Sequence, residues 1–146
     1  VKFDLARRAE AAGNFPNPAG RLVSTLDDVG RFLLLHRNRG VANGRRLLAP
    51  DSLQVLYRAQ PATGTGANGY GLGFNVLKAD GNGAGVRIRH TGASGTFAQL
   101  DFERDYCFVI LTQVPQTQTQ PFRDRLLRAI NAVFAPDNAL RGAGKK

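Results

Sequence analysis

The sequence predicts an α+β protein, in which helices precede an antiparallel β-sheet meander and a C-terminal helix covers the sheet. Apolar residues recur at helical spacing before residue 60. After the glycine-rich loop at 62–69 the spacing of the apolar residues becomes typical of strands, and helical spacing returns from residue 122. The 146 residues are 42% hydrophobic and 21% charged, which suffices for the core of one domain. The predicted parts are a loop-rich lead-in at 1–20, a helical segment at 21–60, a sheet at 69–114, a terminal helix at 121–135 and a tail at 141–146.

The first strongly marked helix begins after Ser24 and Thr25, which are both N-cap candidates. Two aspartates in the next turn suit the positive end of a helix dipole, and Gly40 is a typical residue for ending the helix. The residues that recur at helical spacing are Leu26, Val29, Phe32, Leu33 and His36. We expect His36, which lies on this apolar face, to be a partly buried structural histidine.

A connector and a second helix complete the helical segment. The connector is predicted over Val41–Leu48, with Asn43-Gly44 as a turn. Pro50 suits a first helical position, because a proline there loses no intrahelical hydrogen bond, and the helix is predicted over Ser52–Ala59.

Four strands joined by short turns make up the predicted sheet. Their predicted ranges are Tyr70–Leu77, Gly85–His90, Thr96–Phe102 and Tyr106–Val114. Short turns between consecutive strands favour an antiparallel meander. The single cysteine, Cys107, lies in the apolar fourth strand, so we expect a buried thiol rather than a nucleophile or a disulfide partner.

The C-terminal part is predicted as a polar linker, Pro115–Gln120, followed by an amphipathic helix, Phe122–Phe134. The residues expected to face the sheet are Phe122, Leu126, Ile130, Val133 and Phe134, and those expected to face solvent are Arg123, Arg125 and Arg128. The tail RGAGKK is expected to fray.

Composition and charge weigh against several functions. The net charge is +9, but the arginines are scattered along the chain and no known nucleic-acid motif accompanies them, so polyanion binding is a minor alternative. Two distant histidines, one cysteine and dispersed carboxylates predict no metal site and no cofactor. No apolar run reaches about 18 residues, so no membrane span is predicted.

The most informative polar residue is His90, which ends a predicted strand directly before Thr91-Gly92. Small residues at this point leave the backbone open to close approach, and a ligand beside the strand could take main-chain hydrogen bonds from it. From these residues alone, a structural histidine in a hairpin remains the competing interpretation.

Four segments in order give the chain a family resemblance. They are the helical stretch at 18–40 with its continuation RLLAPDSLQVLY at 46–57, GYGLGFNV at 69–76, HTGASGT at 90–96 and DFERDYCFVILTQ at 101–113. Together they resemble the C-terminal part of the serine β-lactamase-like family, which includes class C β-lactamases, DD-peptidase-type penicillin-binding proteins and esterases. The resemblance covers roughly residues 14–134 and implies a partial β-lactamase/transpeptidase-like fold.

The resemblance also implies roles for the HTG segment. His90, Thr91 and Gly92 match the family's Lys-Thr-Gly strand in its histidine form, so His90 and Thr91 would orient the substrate or polarise the site. The backbone N–H of Ala93 would be one of two oxyanion-hole donors. The implied substrate is a small molecule or peptide, namely a β-lactam, a D-alanyl peptide or an ester, and the implied location is extracytoplasmic.

The family's Ser-x-x-Lys motif is absent, because the residues three positions after the three serines are Asp27, Val55 and Phe97. The Tyr-x-Asn motif is absent as well. Both normally lie upstream of the region matched here. We therefore interpret the chain as the C-terminal portion of a hydrolase whose nucleophile lies elsewhere, and we expect Ser94 to be structural.

Three expectations follow from this interpretation. The isolated chain should be inactive, the missing N-terminal part of the same domain should be its partner, and an unpaired strand edge should favour self-association. The alternative is a non-catalytic binding or interaction module with the same fold.

Overall fold

Helices lie on both sides of one antiparallel sheet in the computed structural model, which describes residues 23–60 and 69–134. The elements are α1 Leu26–Arg37, β1 Val41–Ala42, β2 Arg45–Arg46, α2 Pro50–Tyr57, β3 Asn75–Ala79, β4 Gly85–Thr91, β5 Phe97–Asp101, β6 Tyr106–Ile110 and α3 Gln116–Val133. The predicted α+β class is confirmed. The predicted lead-in at 1–20 and the tail at 141–146 lie outside the described residues.

The first helix begins where its cap residues predict. The Thr25 hydroxyl accepts a hydrogen bond from the Asp28 N–H at 3.2 Å, which satisfies one of the free donors of the first turn. The second helix starts at Pro50, the first helical position that the proline indicates, since a proline there has no hydrogen bond to lose, and it ends at Tyr57 rather than at the predicted Ala59. Both helices point aromatic or aliphatic side chains inward, and Leu53 and Tyr57 of α2 are buried.

The predicted connector between these helices is a small hairpin. Val41 pairs with Arg46 and Ala42 with Arg45, across a turn in which Asn43 and Gly44 have φ values of 49° and 71°. Positive φ at both turn residues is the geometry that a two-residue hairpin requires, and asparagine and glycine tolerate it best.

The main sheet has the order β3-β4-β5-β6, and every neighbouring pair is antiparallel, which confirms the predicted meander. The first strand, however, begins at Asn75 rather than Tyr70. The preceding residues form a turn in which Gly71 N–H donates to the Phe74 carbonyl, and Gly73 has a φ of 91°. Leu72 N–H donates to the Leu56 carbonyl, so this turn is attached to α2 instead of extending the strand.

One face of the sheet packs against α1 and α2. Ile88 of β4 and Leu100 of β5 are cross-strand partners and fully buried, and they form a cluster with Leu53, Tyr57 and Phe74. Alternate residues of a strand point to opposite faces, so Phe97 and Tyr106 belong to the other face. That second face packs against α3, because Tyr106 contacts the side chains of Asn131 and Phe134.

The terminal helix differs from its prediction in extent and in orientation. It begins at Gln116, inside the predicted linker, and Gln116 N–H donates to the Ala93 carbonyl. Phe122 is 51% exposed, whereas Arg123 is only 6% exposed and its guanidinium lies 4.9 Å from the Phe97 ring centroid. A buried arginine stem with its cation above an aromatic face therefore replaces the predicted apolar contact.

The face of the sheet under α3 is polar as a result. Gln99 donates to the Tyr106 hydroxyl, which donates to Asn131, and Asp101 forms ion pairs with two arginines. Of the helices that the structure describes, α3 included, none combines the length and apolar character needed to cross a membrane.

The buried His36 predicts a pH dependence of stability. Its Nδ1 shares a 2.6 Å hydrogen bond with the Tyr57 hydroxyl, its Nε2 has no partner among the described residues, and burial lowers its pKa. Below pH 6.5 the unfolded chain protonates this histidine while the folded chain resists, so stability should fall as pH decreases toward the folded pKa.

The loss is at most about 1.4 kcal/mol per pH unit within that window. Urea unfolding at about pH 7.5 and 5.5 checks it, with His36→Gln as the non-titrating variant and His90→Gln as the control. We expect the pH dependence to persist in the His90 variant and to weaken in the His36 variant. An unchanged pH dependence in the His36 variant contradicts the assignment.

Candidate functional site

The HTG segment lies where β4 extends beyond its neighbour β3. Asn75 is the first residue of β3 and pairs with Arg89, so the later residues of β4 have no β3 partner among the described residues. On its other side β4 remains paired, with His90 opposite Ala98 and Thr91 opposite Phe97. The end of β4 therefore presents one paired and one open edge.

Hydrogen-bond alternation shows which residues face the open edge. The Val86 carbonyl accepts from Phe102 N–H, and Gly92 N–H donates to the Thr96 carbonyl, so even-numbered residues of β4 bond to β5. The peptide groups of Thr91 consequently point away from β5, toward the open edge. A ligand lying along this edge would meet main-chain donors and acceptors.

A tight turn follows the strand and leaves one donor unused. Gly95 N–H donates to the Gly92 carbonyl at 3.0 Å, and the Ala93 carbonyl accepts from Gln116 N–H at 3.2 Å. The N–H of Ala93 donates to no described residue. Ala93 itself is exposed, so this amide is available to an external acceptor.

The two side chains of the motif point to opposite faces of the sheet, as consecutive strand residues do. His90 is exposed and lies edge-on to Tyr70, with 6.1 Å between the ring centroids. Thr91 shares its face with Arg89 and Phe97. One ligand can contact both side chains only if it lies along the edge itself, so the strand edge is the centre of the candidate site.

Other candidate groups are less suited to chemistry. The Ser94 hydroxyl makes no hydrogen bond with a described residue, so no base activates it there. Cys107 lies on β6 opposite Leu100 of β5, and burial raises the pKa of its thiol, which disfavours the reactive thiolate. No three His, Cys, Asp or Glu residues within 23–60 and 69–134 are grouped so as to hold a metal ion.

Two concavities elsewhere on the surface do not include the HTG segment. One of about 540 Å³ lies beside α1 and β1, where its lining includes Arg31, Leu34 and Val41. The other, of about 220 Å³, lies between α2 and the start of β4 and includes Tyr57 and Gly85. The candidate site is therefore an open strand edge that the described residues do not enclose.

Sequence reasoning missed the residues that support the turn from behind. Thr112 Oγ1 donates to the Ser94 carbonyl at 2.6 Å, and Val114 N–H donates to the same oxygen at 3.2 Å. The usable signal was Gly95, since a glycine after the motif indicated a backbone conformation that other residues avoid. Its φ is 76°, and a Cβ there would lie 2.5 Å from Thr112 Oγ1.

The chain is similar to known proteins over most of its length. Residues 2–132 match the sequence profile of the family described as Beta-lactamase. No curated protein matches the chain. Among solved structures, a provisionally assigned beta-lactamase from Bacteroides dorei DSM 17855 is similar, with a TM-score of 0.60 and 21% sequence identity. The match covers 82% of this chain and 44% of that one, so this chain spans less than half of its structural neighbour.

Proposed function

This chain belongs to the beta-lactamase family, and from that premise we propose that it forms one wall of a serine acyl-hydrolase active site. In this proposal the open edge of β4 binds the substrate backbone, and the Ala93 N–H is one of the two oxyanion donors. His90 and Thr91 orient the substrate at the two sides of the edge. The reaction class is acyl transfer from a β-lactam, a D-alanyl peptide or an ester.

The observation that carries the proposal is the unused N–H of Ala93. Both carbonyls next to it accept hydrogen bonds within the protein, whereas this one donor points to no described acceptor. When a nucleophile attacks a carbonyl, negative charge develops on its oxygen, and a fixed amide aimed at that oxygen needs no reorganisation. A rigid strand end is well suited to hold such an amide.

The nucleophile and general base are proposed to come from the remainder of the domain, since this chain has no Ser-x-x-Lys. One contact surface for that remainder is the outer side of β6, which has β5 as its one strand neighbour among the described residues. The strand is apolar, and Leu111 directly after it is 42% exposed. An open apolar edge of this kind favours pairing with a further strand, or with a second copy when none is present.

Substrate class and location rest on the family resemblance. A histidine stands where many penicillin-binding members have lysine, which favours the esterase-like or class C-like members as models for the substrate. An extracytoplasmic location is part of the same proposal. Polyanion binding receives less support, because Arg37, Arg87 and Arg104 are engaged in ion pairs with aspartates.

Acylation separates the hydrolase from a non-catalytic binding module. We expect a fluorescent penicillin and an activated ester to leave the mass of the 146-residue chain unchanged, because its serines lack an activating base. A longer chain that includes an upstream Ser-x-x-Lys should gain one adduct, located on that serine. Labelling of Ser94 in this chain contradicts the proposal, and a longer chain that has the motif but takes up no probe favours the binding module.

A further inference from the structure

In the turn after β4, a hydrogen bond joins two peptide groups, the one between Gly92 and Ala93 and the one between Ser94 and Gly95. A peptide group is planar, so whatever orients its carbonyl also orients its N–H. The Gly92 carbonyl and the Ala93 N–H share one plane, and that carbonyl accepts from Gly95 N–H at 3.0 Å. Gly95 N–H in turn shares a plane with the Ser94 carbonyl. Whatever fixes the Ser94 carbonyl therefore fixes the direction of the Ala93 N–H, two planes away.

The Thr112 hydroxyl is the closer of two donors that hold the Ser94 carbonyl. Its Oγ1 donates to that oxygen at 2.6 Å, and the bond is partly buried. The Val114 N–H also reaches the oxygen, at the longer distance of 3.2 Å. Val114 donates from its main chain, whereas Thr112 donates from its side chain. A substitution of the Thr112 side chain can therefore remove its hydrogen bond.

The contact is close enough to require glycine at the adjacent position. A Cβ on Gly95 would lie 2.5 Å from Thr112 Oγ1 and 2.7 Å from Thr119 Oγ1. Thr119 is different in its bonding, because its hydroxyl donates to the Gln116 carbonyl at 3.1 Å. Two threonines thus face the same glycine, and the Thr112 hydroxyl is the one that bonds to the turn.

We propose that Thr112 is a positioning residue, which aims the Ala93 N–H by holding the Ser94 carbonyl. The inference deepens the proposed function, since it rests on Ala93 being an oxyanion donor. Thr112 touches no substrate in this scheme. It acts through the turn, because it restricts the rotation of the two peptide groups that carry the Ser94 carbonyl and the Ala93 N–H.

Backbone ¹⁵N relaxation of the 146-residue chain tests the positioning without any activity. In Thr112→Val, which keeps the shape and loses the hydroxyl, we expect the order parameters of Ala93 and Gly95 to fall from about 0.85 to below about 0.6. The amides of β5 should not change. Thr112→Ser should restore the rigid values, and Thr119→Val, the matched control, should leave Ala93 as it is.

An Ala93 amide that stays rigid in Thr112→Val overturns the proposal. So does an Ala93 amide that Thr112→Ser or Thr119→Val loosens as much as Thr112→Val does. If Thr112→Val does not fold, Thr112→Ser and Thr112→Ala decide instead, since alanine has no donor for the Ser94 carbonyl. A rigid Ala93 in the serine variant and a loosened Ala93 in a folded alanine variant support the proposal, and a rigid Ala93 in both overturns it.

Kinetics in a longer chain that carries the serine separates this inference from the proposed function. There, Thr112→Val should lower kcat roughly ten- to a hundredfold with KM nearly unchanged, because the misdirected donor weakens the transition state more than substrate binding. A loosened Ala93 with unchanged kcat counts against Ala93 as the donor. A rigid Ala93 counts against Thr112 alone and leaves the proposed function standing.

Discussion

Replacing Asp101 by alanine is expected to destabilise the folded chain by about 3–5 kcal/mol, the cost typical of breaking a buried ion pair. Asp101 is completely buried and accepts from Arg87 Nε at 2.7 Å and from Arg104 Nη1 at 3.2 Å. Its other oxygen accepts the backbone N–H groups of Glu103 and Arg104, which close the turn into β6. The substitution leaves two arginines and two amides without their shared acceptor.

A matched pair of asparagine variants isolates the role of burial. Asp101→Asn keeps the shape but loses the charge, and we expect a loss of about 1.5–3 kcal/mol, as for hydrogen bonds to charged groups. Asp105→Asn weakens an ion pair with Arg37 at the surface, where the aspartate side chain is 55% exposed, and should cost less than about 1 kcal/mol. Urea unfolding near neutral pH measures all three variants. Equal losses at the two positions contradict the prediction.

The same carboxylate contributes to acid sensitivity. Burial alone raises the pKa of Asp101, but hydrogen bonds from the Arg104 N–H and from Arg87 outweigh burial and hold the pKa below its ordinary value. Its contribution is therefore complete above pH 3.8 and is lost as the pH falls through the lower folded pKa. Asp101→Asn should flatten this part of the acid unfolding curve.

The second large effect is expected at Ala93, in a longer chain that carries the nucleophile. Ala93→Pro removes the N–H, and under the proposed function kcat should fall roughly 10²–10³-fold, the usual loss of one oxyanion-hole donor. Ala93→Gly keeps the N–H and is the matched control, with kcat expected within a few-fold of the parent. Stopped-flow acylation by a chromogenic β-lactam or an activated ester measures the step directly.

Stability distinguishes loss of the donor from loss of the fold. The Ala93 N–H donates to no described residue, so proline at this position breaks no hydrogen bond of the turn. The melting temperature of Ala93→Pro should therefore stay close to that of the parent chain. A folded proline variant that retains the parental kcat would falsify the role of this amide.

Local signals predicted the elements whose residues interact with near neighbours in the chain. Thr25 caps α1 through Asp28, three residues away, and Asn43-Gly44 adopts the positive φ values that such a pair favours. The meander follows from short turns between apolar runs, and the HTG segment lies at the end of β4 as its position before small residues indicated. The position of Ala93 could be read from the sequence, while its catalytic role stays a prediction.

The predictions that failed concern the start of α3 and the side chains that it buries, which depend on contacts with residues distant in sequence. The sequence pattern turned Phe122 inward and Arg123 outward, yet the arginine packs over Phe97 of β5. The polar run at 115–120 has weak helical preference, yet it forms the start of α3, where the Gln116 N–H donates to the Ala93 carbonyl. Neither partner lies close in sequence, so neither could appear in a local period.

By itself, then, the sequence determined the α+β order, the capped start of α1, the antiparallel meander and the place of HTG before a glycine-rich turn, because capping, periodicity and turn chemistry act over a few residues. Only the tertiary structure decided that Thr112 bonds to Ser94, that Asp101 is buried between two arginines, and that α3 rests on a polar face. Those contacts depend on which strands and helices meet. A hydroxyl or carboxylate holds its partners firmly only when folding removes water from it and brings its acceptor or donor within reach.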